Sequence, residues 1–448
     1  MNLYQKYQTS FNHYPIHFPK YISRPENYAG LETKGSDCIV RGLGGSYGDA
    51  ALNENGRVIL IERLDRFLEF NEEKGIICVE AGISLGKILE LIVARGWFLP
   101  VTPGTSKVSL GGCIAADVHG KNHHHVGSIG QHVLALQIIT AKGEKVLCSP
   151  EIMPDLFWAT IGGMGLTGII GTVTLKLRPI KTAYMLVQHQ IAENLEETFN
   201  CLSQENSAAE YEVAWLDGLN LSLGRGIIVS ARHADLAALS SSQQSEPLVS
   251  PAHKIYKLPF YLPNGLLRPM LIKAFNKRYY QRLSNKKYPF ILPYSDYFYP
   301  LDRITHWPRL YGRRGFIQYQ CVIPTESAYG VIKQILETLN TQNHHVYLAV
   351  LKRFGKENLA PLSFPLSGFT LALDIPITDQ TLFNCLDDLD TLVVAAGGRV
   401  YLAKDARLKP EIFRAMYPRY QAWLAVKKAW DSENKFNSSL ARRLEITA

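Results

Sequence analysis

The run RGLGGSYGD (41–49) places four glycines among nine residues, after a predicted strand and before no convincing helix. Glycine lets successive backbone N–H groups point the same way, and the resulting nest binds a pyrophosphate without needing a lysine. It is neither a Walker loop, having no GKS or GKT, nor a Rossmann turn in a βαβ setting. Taken alone it would read as a structural turn. PGT (103–105) and GGCIAADVHGKN (111–122) repeat the strategy, and FWATIGGMGLTGII (157–170) supplies small residues where a flat ring can approach the backbone before the chain enters a strand. Two nests can hold the two ends of a dinucleotide, and three such patches in order are the chemical signature of the chain.

Polar side chains accompany these loops. His119 lies in the second one, and the following His123, His124 and His125 look like a metal tract, but consecutive side chains on a loop rarely converge on one ion, so no metal is expected. Gln318 and Gln320 are two apart on a predicted strand and share a face, offering amides to sugar hydroxyls, although the same pair is unremarkable in any sheet. Lys352 is placed either to hold a phosphate or to be solvated at a strand end. Lys404, next to Asp405, reads from the residues alone as half of a surface ion pair.

The order RGLGGSYGD, PGT, GGCIAADVHGKNHH, DLFWATIGGMGLTGII resembles the PCMH-type FAD-binding domain of the vanillyl-alcohol-oxidase superfamily. With FIQYQCVIPTE (316–326), APLSFP (360–365), YLAKDAR (401–407) and MYPR (416–419), nearly the whole chain is similar to the decaprenylphosphoryl-β-D-ribose 2-oxidase family. The resemblance implies an α+β fold: a two-part FAD-binding domain, residues 1–182 and 399–448, around an inserted antiparallel-sheet substrate domain, 183–398. It implies flavin contacts at Arg41, Gly42, Leu43, Gly44, Gly45, Ser46, Tyr47, Gly48, Asp49, Gly104, Thr105, Ser109, Gly111, Gly112, Ala116, Asp117, His119, Gly120, Asn122, Ile170 and Tyr401. Tyr47 stands in the stretch where tethering members of the superfamily carry a histidine, so the FAD is expected to be non-covalent.

The implied reaction is oxidation of the 2-hydroxyl of a polyprenyl-phosphoryl pentose to a 2-keto sugar, the first half of an epimerisation that a short-chain reductase partner completes. Hydride transfer to the flavin requires removal of the hydroxyl proton and a cation beside the reduced ring. Lys404 matches the family's active-site lysine, with burial available to lower its pKa. His119 and Gln320 join it as catalytic candidates, while Tyr47, Lys121, Trp215, Gln318, Lys352 and Asp374 are implied on the substrate side. Two positions in FTLALDIP depart from relatives: Ala372 replaces a cysteine and Thr370 an asparagine. Two other readings stay open, a soluble alditol or aldonolactone oxidase and a non-catalytic flavoprotein partner of a reductase.

The elements that must position these residues follow from periodicity. Strands are predicted at 37–41, 58–61, 75–80, 133–140, 168–177, 315–324, 346–354, 369–377 and 400–403, with a hairpin turn at 141–144. Helices are predicted at 84–95, with Ser84 as cap and Gly96 as stop, and at 325–341 and 379–396, followed by two in the tail. From about Thr182 the glycine density falls and longer elements begin.

A chain of 448 residues, 46% hydrophobic and 20% charged, suits a multidomain globular protein rather than a disordered or fibrous one. Seven scattered cysteines without a CxxC pair suggest no disulfide framework or zinc site and fit a reducing compartment. No apolar stretch reaches about 18 residues and no secretory signal is evident, so a cytoplasmic or peripherally membrane-associated location is expected. The net charge of +8 is concentrated. Residues 247–295 hold no Asp or Glu but carry Lys254, Lys257, Arg268, Lys273, Lys277, Arg278, Arg282, Lys286 and Lys287 among Leu266, Met270, Leu271 and Phe275. This is the composition of a surface for anionic lipid or a phosphorylated ligand, or of a merely solvated basic helix. Nucleic acid is disfavoured, since no recognition motif accompanies the charge.

Overall fold

The computed structural model describes residues 8–27, 31, 37–204, 209–220, 223–251, 254–285 and 288–446. Lys286 and Lys287 of the basic segment lie outside them.

Alternation decides the largest sheet. Along Phe316–Pro324, Ile317, Tyr319, Cys321 and Ile323 alternate with Gln318, Gln320 and Val322, and a pleated strand sends the two sets to opposite faces. Antiparallel pairing carries the pattern sideways: Gln318 lies opposite Asp374, Gln320 opposite Ala372, Lys352 opposite Thr370 and Trp215 opposite Val350. One face therefore presents Ile317, Tyr319, Cys321, Leu351, Leu371 and Leu373. They share a core with Ile332, Ile335 and Leu336 of helix Thr325–Thr341 and with Leu382, Leu386 and Leu389 of helix Gln380–Ala395. The opposite face keeps the amides, the lysine and the carboxylate. The eight strands run Phe290–Pro293, Tyr184–Ala192, Gly226–His233, Tyr211–Leu216, Leu348–Phe354, Gly368–Pro376, Phe316–Pro324 and Arg399–Val400, all neighbours antiparallel.

The glycine loops hang from two smaller sheets. Five antiparallel strands are ordered Lys145–Cys148, Val133–Ile139, Ile169–Lys176, Ile76–Glu80 and Phe67–Asn71. Three parallel ones are ordered Tyr21–Ser23, Arg57–Leu60 and Cys38–Arg41, and the last delivers the chain straight into loop 41–49. Helix Leu85–Ile92 begins where the Ser84 side chain accepts the Lys87 N–H at 3.1 Å, and Gly96 ends the following turn at φ 77°.

The tail binds both parts. Arg399–Val400 extends the edge of the large sheet, and beyond it Cys38 N–H donates to Lys435 O at 2.7 Å while the Trp423 indole donates to Ala159 O at 2.9 Å. Two expectations need correction. The strand predicted at 400–403 is only Arg399–Val400, because Tyr401 N–H bonds Gln320 O and the chain then turns back, Lys404 N–H bonding Tyr401 O. Among the described residues the tail has three helices rather than two, Pro410–Met416, Tyr420–Trp430 and Ser439–Arg443. Among the described residues no helix is long and apolar enough to cross a membrane.

Candidate active site

The glycine loops, the sheet face and the tail converge. A methyl group on Gly42 would overlap the Ser109 side chain and one on Gly45 would overlap Val108, so loop 41–49 rests on the turn that starts helix Leu110–Ala115. Gly44 has φ +70°, a conformation that costs glycine nothing. Among the described residues, the N–H groups of Gly42, Leu43, Gly44, Gly45 and Ser46 donate to no protein acceptor. Gly104 borders open space, with nothing within 4 Å of where a Cβ would stand.

The tail closes on the same loops. Tyr47 N–H donates to Ala403 O at 3.0 Å, and Gly48 packs on the Asp405 backbone. The Tyr401 hydroxyl donates to Ala116 O at 2.8 Å, and its ring stacks on Phe364 at 4.5 Å. The turn sets the Lys404 Nζ 3.5 Å from the centroid of the Tyr47 ring. Asp405 is not its partner: that carboxylate faces Arg443 at 2.8 Å and accepts from the N–H groups of Arg407 and Leu408, so the surface ion pair read from the sequence does not form.

His119 joins the second loop to the sheet. Its Nδ1 lies 3.1 Å from Lys352 Nζ and its Nε2 lies 3.0 Å from Gln320 Nε2, which also donates to Thr370 Oγ1 at 3.2 Å. Phe354 meets the ring edge to face at 4.7 Å. Gln318 donates to Asp374 Oδ1 at 2.6 Å, while Asp374 Oδ2 is buried without a partner. Lys121 Nζ donates to Tyr297 O at 2.5 Å and lies 3.9 Å from the Tyr297 ring centroid.

Burial sets the charges. It lowers the amines of Lys121, Lys352 and Lys404 to about 7, with Lys352 adding to the shift of the other two and Asp374 opposing it at Lys404. Burial also raises the Asp374 carboxyl to about 7, against the Gln318 bond and the Lys404 charge. His119 is held well below its ordinary value by burial and then by Lys352, so it is neutral at pH 7.

Not every expected residue turns its side chain to this centre. Arg41 donates to Thr9 O at 2.8 Å, Asp49 pairs with Arg443 at 2.7 Å, Thr105 donates to Asp302 at 2.6 Å and Asn122 donates to Pro100 O at 2.9 Å. Asp117 accepts from Ser128, Gly130, Asn358 and Ser363. These five side chains hold loops in shape. Gly111 backs onto Ala81, Gly120 onto Thr102 and Asn122, Leu43 is exposed, and Ile170 is buried in its strand. Trp215 lies in the same cross-strand row as Gln320 but three strand spacings away, roughly 14 Å, and packs on Tyr279 at 5.0 Å. His123 accepts the Gly355 N–H and His125 meets Ala209 O, so the histidine run makes separate contacts. Phe354, Phe364 and Tyr297 were not anticipated; Phe364 lies in the recognised APLSFP string, where aromatic packing leaves no distinct signal.

FAD needs free amide donors for its pyrophosphate, backbone its ring can approach, and a cation near that ring. The unsatisfied N–H groups of 42–46, the open flank of Gly104 and the buried Lys404 amine supply them, so the residues fit the group.

A sequence family described as FAD binding domain matches residues 31–149, and one described as D-arabinono-1,4-lactone oxidase matches residues 313–444. Fold and site thus define an FAD-dependent oxidoreductase. Decaprenylphosphoryl-beta-D-ribose oxidase of Mycolicibacterium smegmatis is 38% identical to the chain over 96% of it and 93% of that protein. An uncharacterized protein of Streptomyces coelicolor is 33% identical over 81% and 100%, and L-gulonolactone oxidase of Mus musculus 24% identical over 90% and 89%. The chain belongs to the decaprenylphosphoryl-β-D-ribose oxidase family.

Proposed function

We propose that the protein oxidises the 2-hydroxyl of a polyprenyl-phosphoryl pentose to the 2-keto sugar, and that a short-chain reductase completes an epimerisation. The observation that carries this reading is the half-buried amine cluster, Lys352 and Lys404 beside neutral His119 with Lys121 next to Lys352, at the polar sheet face beside the glycine loops. Residues 1–182 and 399–448 form the flavin domain in this reading, and 183–398 the substrate domain.

The amides of 42–46 would hold FAD non-covalently, and it would supply the two-electron acceptor. Lys404 in its amine form takes the hydroxyl proton and becomes the ammonium. His119, held between Lys352 and Gln320, orients the sugar, with Gln318 and Gln320 offering amides to its hydroxyls. Lys121 and Lys352 charge as a phosphate arrives, because an anion within a few ångströms raises their pKa above about 7.

The isoprenoid calls for a membrane edge, and the basic segment offers one. Among the described residues 22 large hydrophobic ones are exposed, and nine of these lie in 247–295, including Phe260, Leu266, Met270, Leu271 and Phe275. Helix Pro269–Ser284 buries only Asn276, which donates to Asp217, and its Tyr279 covers Trp215. In this reading lipid contact lies beside the polar sheet face. The test is anaerobic bleaching of the oxidised flavin with polyprenyl-phosphoryl-ribose against free pentitols and aldonolactones: selective bleaching by the lipid supports the proposal, and faster reduction by a free sugar overturns it.

A further inference from the structure

The polar sheet face holds one carboxylate for which substrate binding is a poor use. Asp374 is 1% exposed. Its Oδ1 accepts from Gln318 and its Oδ2, equally buried, has no partner. Tyr47 neighbours both Gln318 and Asp374, and the Lys404 amine lies 3.5 Å from the centroid of the Tyr47 ring. Lys404 itself forms no ion pair or side-chain hydrogen bond among the described residues. A half-buried amine and a buried carboxylate, each short of a partner, therefore meet beside one tyrosine.

We infer that Asp374 is a positioning residue that stabilises the ammonium form of Lys404, rather than a ligand of the sugar. This rests on the proposed role of Lys404 as proton acceptor and deepens it. The other groups facing Lys404 are Lys352, from the neighbouring strand, which disfavours its charge, His119 from the second loop, which is neutral, and Tyr47, which burial keeps protonated. Asp374 faces Tyr47, Tyr311 and Gln318 besides Lys404. The proton leaving the sugar hydroxyl would then end on Lys404 beside the ionised form of Asp374, and no further base is required.

The charge of Lys404 can be read without turnover. In the FAD-loaded full-length protein, trace labelling with acetic anhydride across pH, quantified by peptide mass spectrometry, gives the midpoint at which each lysine becomes reactive. Asp374→Asn keeps an acceptor for Gln318 and removes the charge. The expected result is a Lys404 midpoint lower by about one unit or more, with Lys121 and Lys352 unmoved and Asp374→Glu close to the parent. An unchanged Lys404 midpoint together with a raised KM makes Asp374 a substrate ligand and overturns the inference, whatever the substrate proves to be. If Asp374→Asn does not fold, Gln318→Leu serves. Losing that amide favours protonated Asp374, so the Lys404 midpoint again falls; an unmoved midpoint refutes the inference.

Discussion

Gly48→Ala tests how tightly the first glycine loop is registered on the lysine turn. A methyl there would lie 2.5 Å from the carbonyl carbon of Asp405 and 3.3 Å from its N, closer still to its oxygen. Carbon atoms settle at about 3.5 Å or more, so the two backbones must part by roughly 1 Å. Neither is a flexible side-chain end that can swing aside. Overpacking of this kind costs about 1–3 kcal/mol, and the same displacement weakens the bond from Tyr47 N–H to Ala403 O and moves Lys404 off the Tyr47 ring. A misplacement of about 1 Å is enough to slow chemistry about 10²-fold. The matched control is Gly104→Ala, where a methyl meets nothing in the protein. It should leave apoprotein stability within about 0.5 kcal/mol yet weaken FAD binding, because the proposed arrangement uses that open flank for the ring. Thermal unfolding of the apoproteins and FAD titration by fluorescence quenching separate the two effects. Parent-like stability and rate in Gly48→Ala, or parent-like FAD affinity in Gly104→Ala, would refute the geometry argued for the loops.

Other consequences are as direct. Lys404→Met should slow flavin reduction about 10²–10⁴-fold in single-turnover measurements, the range for losing a general base. In the parent, kcat/KM should rise with pH through about 7 as the Lys404 amine forms, since burial brings its pKa there. Unfolded lysines stay protonated to about pH 10, whereas the folded apoprotein sheds protons from Lys121, Lys352 and Lys404 above about 7. The unfolded chain then binds more protons, and apoprotein stability should increase from pH 7 to pH 8.5 in urea titrations. Neutralising Lys273, Lys277, Arg278 and Arg282 to Gln should cut sedimentation with phosphatidylglycerol vesicles, at about 1 kcal/mol per charge, while leaving reduction by detergent-dispersed substrate intact. Acid precipitation should leave the yellow colour in the supernatant; a yellow pellet would show a tethered flavin.

The glycine loops were legible because residue type and order alone restrict what such backbone can do. The shared face of Gln318 and Gln320 was legible because strand periodicity fixes it. Lys404 was not: a Lys-Asp pair after a short strand looks superficial until Arg399–Val400 is seen pairing with Phe316–Pro324 and turning the chain inward. The side-chain partners of the loops' polar members were not legible either, for a related reason. Arg41, Asp49, Thr105, Asp117 and Asn122 sit among the loop glycines in sequence, but partners such as Thr9, Arg443, Asp302 and Asn358 come from distant segments. Strands such as Tyr184–Ala192 and Gly226–His233 escaped notice because polar residues such as Gln188, His189 and Ser230 interrupt their apolar runs.

Anaerobic single-turnover reduction with polyprenyl-phosphoryl-ribose deuterated at C2, set against the same compound deuterated at C3, goes to the heart of the account. A several-fold slower loss of oxidised-flavin absorbance with the C2 label alone is predicted. No bleaching, or an isotope effect confined to C3, would contradict it.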